Sequence, residues 1–163
     1  LRWQFYPAEK GIGFDGLSSY LDRRLGSVVV YPYQTYADFL HSLAACNLSL
    51  VPFPFGNTNS TVDASLLGIP IVFLRGNAPA SSGDAAVMER LQCFEGAAFS
   101  IEDYFGMAME YLEGGERYTE YAKVLRENCT FDLMESGNDY LEKDIVGFVS
   151  KMRSLVSMTS PEA

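Results

Sequence analysis

Four short apolar segments set the strongest limit on the fold of this chain. They lie at residues 2–7, 27–31, 48–52 and 71–74. Each is nearly continuous in apolar residues, and helix-forming sequence separates it from the next. Strands of this kind are typical of a parallel sheet that is buried on both faces. Because parallel neighbours are joined by right-handed crossovers, the sequence predicts an α/β fold with a doubly wound, Rossmann-like parallel sheet.

Polar residues that can cap a helix mark several helix starts. Thr35 and Ser100 each precede an apolar pattern with helical spacing. The first pattern predicts a core face that includes Tyr36. The second predicts a core face formed by Ile101, Tyr104, Phe105, Ala108, Met109 and Leu112. The predicted helices cover residues 15–24, 35–44, 57–68, 84–91, 100–112 and 118–129, with a last one from Ser136 or Asn138 to Met152.

Length and charge limit the possible partners. The chain has 163 residues, and we expect one domain over residues 1–156 and a disordered tail at residues 157–163. The net charge of −9 argues against nucleic acid and against an anionic membrane surface as partners. The chain begins at Leu1, so we expect it to be part of a longer protein. Its three cysteines are far apart, and we expect small buried thiols in a reducing compartment.

The stretch from Val51 to Asp63 is the clearest candidate for a binding site. An apolar strand is followed by a turn that two prolines stiffen and Gly56 loosens, and then by a polar helix start. The N–H groups of a first helical turn point outward, and the helix dipole favours an anion there. The stretch therefore predicts a site for the diphosphate of a nucleotide sugar.

Four neighbouring side chains at this helix start, Asn57, Thr58, Asn59 and Ser60, offer donors to phosphate oxygens. Residues of these types also cap helices and form turns, and the sequence alone is equally compatible with both roles. One cap does not require so many, which favours a ligand. Asp63 is expected in the first helical turn, where it would stabilise the helix dipole or accept hydrogen bonds from ribose hydroxyls.

Three polar turns are expected at the carboxyl edge of the sheet. They lie at residues 32–35, 53–59 and 76–83, each after a predicted strand. Open parallel sheets bind their ligands at this edge. The agreement of three turns is stronger support for a binding site than any one motif.

Positive charge is missing near the predicted site. No lysine or arginine occurs between residues 31 and 74, and Arg75 is the nearest basic residue. Because a diphosphate needs cations or many amide donors, we expect the missing cation to come from another part of the full protein. No Asp-x-Asp sequence occurs, so we expect neither a metal nor another cofactor. His41 is expected on a partly exposed helix face, and no catalytic residue is predicted in this chain.

Residues 28–91 resemble a known family. The string Phe53-Pro-Phe-Gly-Asn-Thr-Asn-Ser-Thr-Val-Asp63, followed by Leu67-Gly-Ile-Pro70, is similar to the C-terminal domain of the HMW1C-like cytoplasmic N-glycosyltransferases. That family shares its glycosyltransferase class with the O-linked N-acetylglucosamine transferases. The layout of residues 31–40, of the pair Cys46-Asn47 and of residues 76–91 fits the same resemblance.

The resemblance implies the C-terminal, donor-binding half of a GT-B glycosyltransferase. Such an enzyme is inverting and metal-independent, and it transfers a hexose from a UDP-sugar, most often UDP-glucose, to asparagine of a bacterial adhesin-like protein in the cytoplasm. By position, Asn57, Thr58 and Asn59 would contact the diphosphate, and Asp63 the ribose. The turn at residues 31–34 would border the uracil. The family usually has histidine near this turn, where this chain has Tyr31 and Tyr33, and a tyrosine ring can stack on a base.

Two other functions stay open. A non-catalytic homologue, acting as partner or chaperone of an active glycosyltransferase, is suggested by the acidic composition and by Tyr31 and Tyr33. A Rossmann-like module for another nucleotide is the third possibility. It is weaker, because no Gly-x-Gly-x-x-Gly follows a strand and no Walker A sequence occurs.

Overall fold

The computed structural model describes residues 1–7, 14–76 and 79–129. Five short strands and six helices within these ranges confirm the predicted α/β class with parallel strands. The chain divides after Cys46 into two compact units. The strands are β1 (Trp3–Phe5), β2 (Val28–Val30), β3 (Ser49–Leu50), β4 (Ile71–Leu74) and β5 (Ala97–Ala98). The helices are α1 (Phe14–Leu25), α2 (Tyr36–Leu43), α3 (Thr58–Leu66), α4 (Pro79–Arg90), α5 (Ile101–Glu113) and α6 (Glu116–Asn128).

The first unit contains a two-stranded parallel sheet and two helices. β1 pairs with β2 so that Trp3 lies opposite Val28, and α1 lies between them in sequence. α1 ends where Gly26 takes a φ of +61°, a left-handed conformation that glycine adopts without steric cost. α2 begins at the predicted cap, because the Thr35 side chain accepts the N–H of Asp38. The start of α2 is therefore fixed by its own sequence.

The second unit contains a three-stranded parallel sheet in the order β3-β4-β5. Ser49 lies opposite Ile71, and Phe73 lies opposite Ala97. β4 is central, and its residues Ile71, Val72 and Phe73 are buried. In sequence, α3 joins β3 to β4 and α4 joins β4 to β5, so the turns after β3 and β4 lie at the same edge of the sheet.

Two tyrosines attach α5 and α6 to the sheet. The hydroxyl of Tyr104 donates to the carbonyl of Val51 at 3.0 Å, and that of Tyr121 donates to the carbonyl of Ile71 at 3.1 Å. Burial raises the pKa of Tyr104 to about 12, so its phenol stays neutral and keeps donating near neutral pH. Gly96 permits this packing on β4, because a Cβ there would lie 1.7 Å from the Ile71 carbonyl oxygen.

Several predictions of local structure were wrong. α4 begins at Pro79, five residues before the predicted start, because proline suits the first position of a helix. Of the predicted core face of α5, Tyr104 and Ala108 are buried, but Ile101, Phe105 and Met109 are exposed, and Tyr111 is buried in addition. Tyr36 at the start of α2 is also exposed, with 64% of its surface accessible. β5 was not predicted, because two alanines carry no strand pattern.

Other predictions are confirmed or lie outside the described residues. Cys93 and Cys129 are buried free thiols, Cys46 is half-buried, and burial raises the pKa of Cys129 to about 11. The predicted last helix and tail fall outside the described ranges, and the single domain over residues 1–156 stays a prediction. No helix in the described ranges is long and apolar enough to cross a membrane.

Candidate functional site

Backbone contacts shape the turn that precedes α3. The N–H of Gly56 donates to the carbonyl of Pro52 at 2.9 Å, and Gly56 has a φ of +72°, which favours glycine. The ring of Phe53 packs edge-on against the ring of Tyr104, with 5.3 Å between the ring centroids. The turn is therefore anchored to α5, and it fixes where α3 begins.

α3 begins with four N–H groups that have no acceptor inside the helix, those of residues 57–60. Asn57 is the N-cap residue, but within the described part of the chain its side chain makes no capping hydrogen bond. That side chain is exposed, as are Thr58 and Asn59, whereas Ser60 is half-buried. Of the two roles that the sequence allowed for Asn57, capping by its own side chain is therefore wrong.

Asp84 on α4 holds the N-cap residue of α3. Its carboxylate accepts the N–H of Asn57 at 3.1 and 3.3 Å and the hydroxyl of Thr61 at 2.6 Å. Asp84 and Thr61 are buried, with 2% and 1% of their surfaces exposed. The sequence analysis treated Asp84 only as a helix start, because no local pattern reveals a contact between residues 27 positions apart.

Gly83 lets α4 approach the first residue of α3 closely. A Cβ added at Gly83 would lie 2.3 Å from Thr58 Oγ1. One turn further along, the Ser65 hydroxyl donates to the carbonyl of Thr61 at 2.7 Å. The structure therefore brings the last residue of the predicted turn 76–83, which lies in α4, against the end of the predicted turn 53–59. The third turn, at residues 32–35, belongs to the first unit, and its part in a common site stays a prediction.

Asp63 lies deeper in α3 than the sequence indicated. The first turn of α3 contains no acidic residue, and Asp63 is the sixth residue of the helix, with 8% of its surface exposed. The expectation that it lies in the first turn is therefore wrong, and so is a dipole role there, because that effect falls off within one turn. Asp63 follows Asn59 by four residues, so the two share one helix face.

Tyr31 and Tyr33 lie in the first unit and differ in the accessibility of their rings. Tyr31 is half-buried and stacks on Tyr6, with centroids 4.9 Å apart and 4° between the ring planes. Tyr33 has 72% of its surface exposed. Of the two, Tyr33 offers the more accessible ring face for stacking.

The nearest positive charge in sequence is directed at another residue. Arg75 pairs with Glu89 of α4 at 2.6 Å, and both side chains are nearly half exposed. Among the described residues, no group of three His, Cys, Asp or Glu side chains could hold a metal ion. His41 is exposed on α2, as predicted. The first turn of α3 therefore offers a ligand neutral donors, from N–H, amide and hydroxyl groups.

No protein-family model matches the chain. Two curated proteins are similar to it, the UDP-glucose:protein N-β-glucosyltransferases of Actinobacillus pleuropneumoniae serotypes 5b and 7. Each is 28% identical over 141 residues, which cover 82% of this chain and 23% of the relative. The chain thus spans less than a quarter of the length of these relatives.

A solved structure shows the same fold. A variant of the O-GlcNAc transferase of Thermobaculum terrenum superposes with a TM-score of 0.71 at 19% identity, over 88% of this chain and 29% of that chain. The resemblance stated from the sequence is therefore confirmed. The chain is similar in sequence to protein N-glucosyltransferases and in fold to part of an O-GlcNAc transferase.

Proposed function

We propose that this chain is the donor-binding domain of a glycosyltransferase that moves glucose from UDP-glucose to asparagine of a protein. The observation that carries the proposal is the first turn of α3. Asn57, Thr58 and Asn59 present exposed polar side chains there, while Asp84 accepts the backbone N–H of Asn57. The relatives, which align with 82% of this chain, are named for UDP-glucose and for a protein acceptor.

In this proposal the first turn of α3 binds the diphosphate. The N–H groups of Thr58, Asn59 and Ser60 lack acceptors inside the helix, and the positive end of the helix dipole adds to their attraction for an anion. The side chains of Asn57, Thr58 and Asn59 can donate further hydrogen bonds. Gly56 precedes them and keeps the backbone without a side chain where the chain turns.

The chemical task of this turn is to stabilise the leaving group. When the bond between glucose and UDP breaks, negative charge develops on the diphosphate. Fixed N–H and hydroxyl donors stabilise that charge without reorganising during the reaction. The acceptor asparagine and its base are assigned to another part of the full protein.

Asp63 is assigned to the ribose. It lies one turn beyond Asn59 on the same face of α3 and retains 8% exposure. A carboxylate repels a diphosphate and accepts hydrogen bonds from hydroxyl groups, so it suits the sugar of the nucleotide and not its phosphates. The roles of Tyr31 and Tyr33 at the uracil stay a prediction from the resemblance.

The remaining features are proposed for the whole protein. We assign the chain to the C-terminal, doubly wound half of a GT-B enzyme that is metal-independent, acts in the cytoplasm and modifies an adhesin-like acceptor. Because UDP-glucose carries its glucose in the α configuration and the relatives are named for a β-linked product, we assign an inverting reaction. The cation that offsets the diphosphate charge is assigned to the remainder of the protein, because Arg75 is directed at Glu89.

Titration of UDP into the chain by calorimetry tests the proposal. We expect UDP to bind in the presence of a chelator and to bind more weakly in the Asn57→Ala and Asp63→Ala variants. Each lost hydrogen bond would weaken binding by about tenfold, since 1.4 kcal/mol corresponds to a factor of ten.

Ser100→Ala is the matched control, because it removes a polar helix-start residue from α5 to which the proposal assigns no contact with UDP. It is expected to bind UDP as the unchanged chain does. Equal binding by the unchanged chain and by both site variants would overturn the proposed site. Absence of UDP binding, both here and in the full-length protein, would favour a non-catalytic homologue.

A further inference from the structure

Asp84 combines deep burial with three hydrogen bonds at the start of α3. It is 2% exposed and accepts from the backbone of Asn57 through both oxygens and from the hydroxyl of Thr61 through one. Thr61 lies in the second turn of α3, so the carboxylate joins the N-cap residue to the body of the helix. These contacts fix the helix start from α4.

A buried carboxylate from another helix is an unusual acceptor at a helix start. Removing a charge from water is unfavourable, and hydrogen bonds offset that cost only when they are complete. An asparagine at the N-cap can cap a helix with its own side chain at no such cost. Here the side chain of Asn57 makes no capping hydrogen bond, and Asp84 accepts the backbone N–H of Asn57. As a result, the side-chain amide of Asn57 is exposed beside the first turn of α3.

We propose that Asp84 is a positioning residue for donor binding: it holds the backbone of Asn57 so that the side-chain amide of Asn57 can bind the diphosphate. The inference rests on the proposed function and names a residue that acts through Asn57 without touching the donor. Asn57 has φ −154° and ψ 54°, outside the helical region, and the contact with Asp84 holds this conformation.

The charge of Asp84 and its hydrogen bonds can be separated. Asp84→Asn keeps one carbonyl oxygen that can accept the N–H of Asn57, and it removes a negative charge that repels a diphosphate. Asp84→Ala removes the acceptor altogether. If the acceptor is what matters, asparagine at this position restores most of the binding that alanine loses.

The experiment compares the affinities for UDP and for uridine in the unchanged chain, Asp84→Ala, Asp84→Asn and the control Ser100→Ala. We expect Asp84→Ala to lose about tenfold in UDP affinity, the equivalent of one hydrogen bond to a charged group, with uridine affinity unchanged. Asp84→Asn should recover most of that loss, and Ser100→Ala should show none. A merely structural role would not change the ratio of UDP to uridine affinity.

Two results would overturn the inference while leaving the proposed function standing. One is a UDP affinity in folded Asp84→Ala equal to that of the unchanged chain, while Asn57→Ala still weakens binding. The other is an equal loss for UDP and uridine. If neither the unchanged chain nor any of the three variants binds UDP, the proposed function itself fails.

Amide exchange in the unchanged chain keeps the inference testable even if Asp84→Ala does not fold. The N–H of Asn57 should exchange slowly, because Asp84 accepts it, and faster than this in Asp84→Asn, where the acceptor is neutral. The inference would be contradicted if the backbone N–H of Asn57 exchanged as fast as the backbone N–H groups of Thr58 and Asn59, which have no acceptor inside α3.

Discussion

Among the helices that the structure describes, three begin at a polar N-cap residue, and the side chain of that residue caps the helix in two of them. Thr35 at α2 accepts the N–H of Asp38 at 3.2 Å, and Ser100 at α5 accepts the N–H of Asp103 at 3.0 Å. At α3 the N-cap is Asn57, and its own N–H is bound by Asp84 of another helix. α2 and α5 therefore begin independently of the rest of the fold, whereas the start of α3 depends on α4.

This difference separates a capping residue from a candidate ligand. The side chains of Thr35 and Ser100 are engaged by the backbones of their own helices, so their polar atoms are already used. The exposed side chain of Asn57 makes no capping hydrogen bond, and Asp84 holds only its backbone N–H. A polar helix start is therefore better evidence for a binding site when its side chain does not cap the helix.

The largest effect on stability is expected from removing the carboxylate of Asp84. Asp84→Ala leaves the N–H of Asn57 and the buried hydroxyl of Thr61 without their acceptor. We expect the free energy of unfolding to fall by about 3 kcal/mol, because an unsatisfied buried polar group costs about 1–3 kcal/mol. Ser100→Ala removes one local cap and should cost about 1 kcal/mol. Urea denaturation of the two variants and the unchanged chain measures both values.

The Asn57→Ala variant is the control for this comparison. Since the side chain of Asn57 is exposed and makes no capping hydrogen bond, truncating it should change the free energy of unfolding by no more than about 0.5 kcal/mol. A loss in Asn57→Ala as large as that in Ser100→Ala would mean that the asparagine side chain caps α3 in solution, and the contrast between the helices would disappear.

A smaller effect is expected from two glycines inside helices. An alanine at Gly106 of α5 meets no atom within 4 Å, and it should raise the free energy of unfolding by about 0.5–1 kcal/mol through helix propensity. An alanine at Gly83 of α4 would place its Cβ 2.3 Å from Thr58 Oγ1, so the side chain of Thr58 must rotate. We expect this contact to cancel the gain in stability at Gly83.

The affinity for UDP should differ between Gly83→Ala and Gly106→Ala. Gly83→Ala reorients the hydroxyl of Thr58 in the proposed diphosphate site. UDP affinity should fall by about threefold, which is less than the tenfold loss expected when a hydrogen bond worth about 1.4 kcal/mol is removed. Gly106→Ala should leave UDP affinity unchanged. Equal UDP affinities in the two variants would remove Thr58 from the proposed site.

The sequence predicted the features that depend on neighbouring residues. Thr35 and Ser100 were predicted as helix starts because a cap acts within one turn, and both are confirmed. The α/β class followed from the buried character of the strands, of which β4 is the clearest example. The string from Phe53 to Asp63 gave the resemblance to glycosyltransferases without any knowledge of the fold.

The features that the sequence did not predict depend on distant contacts. Asp84 reaches Asn57 across 27 positions, and no local periodicity encodes that approach. The apolar stripe of α5 was predicted as one core face, and Tyr104 and Ala108 of that stripe are buried, but its members Ile101, Phe105 and Met109 are exposed. Helical spacing gives the width of an apolar face and does not say which part of it the fold covers.

A nuclear magnetic resonance titration of the labelled chain with UDP tests the central claim most directly, because it reports on each backbone amide separately. We expect the largest shifts at the amides of Thr58, Asn59 and Ser60, which have no acceptor inside α3. Uridine should leave these three amides largely unshifted, and the amides at the start of α5 should not respond to either compound. Shifts caused by UDP that leave the first turn of α3 unchanged would contradict the account.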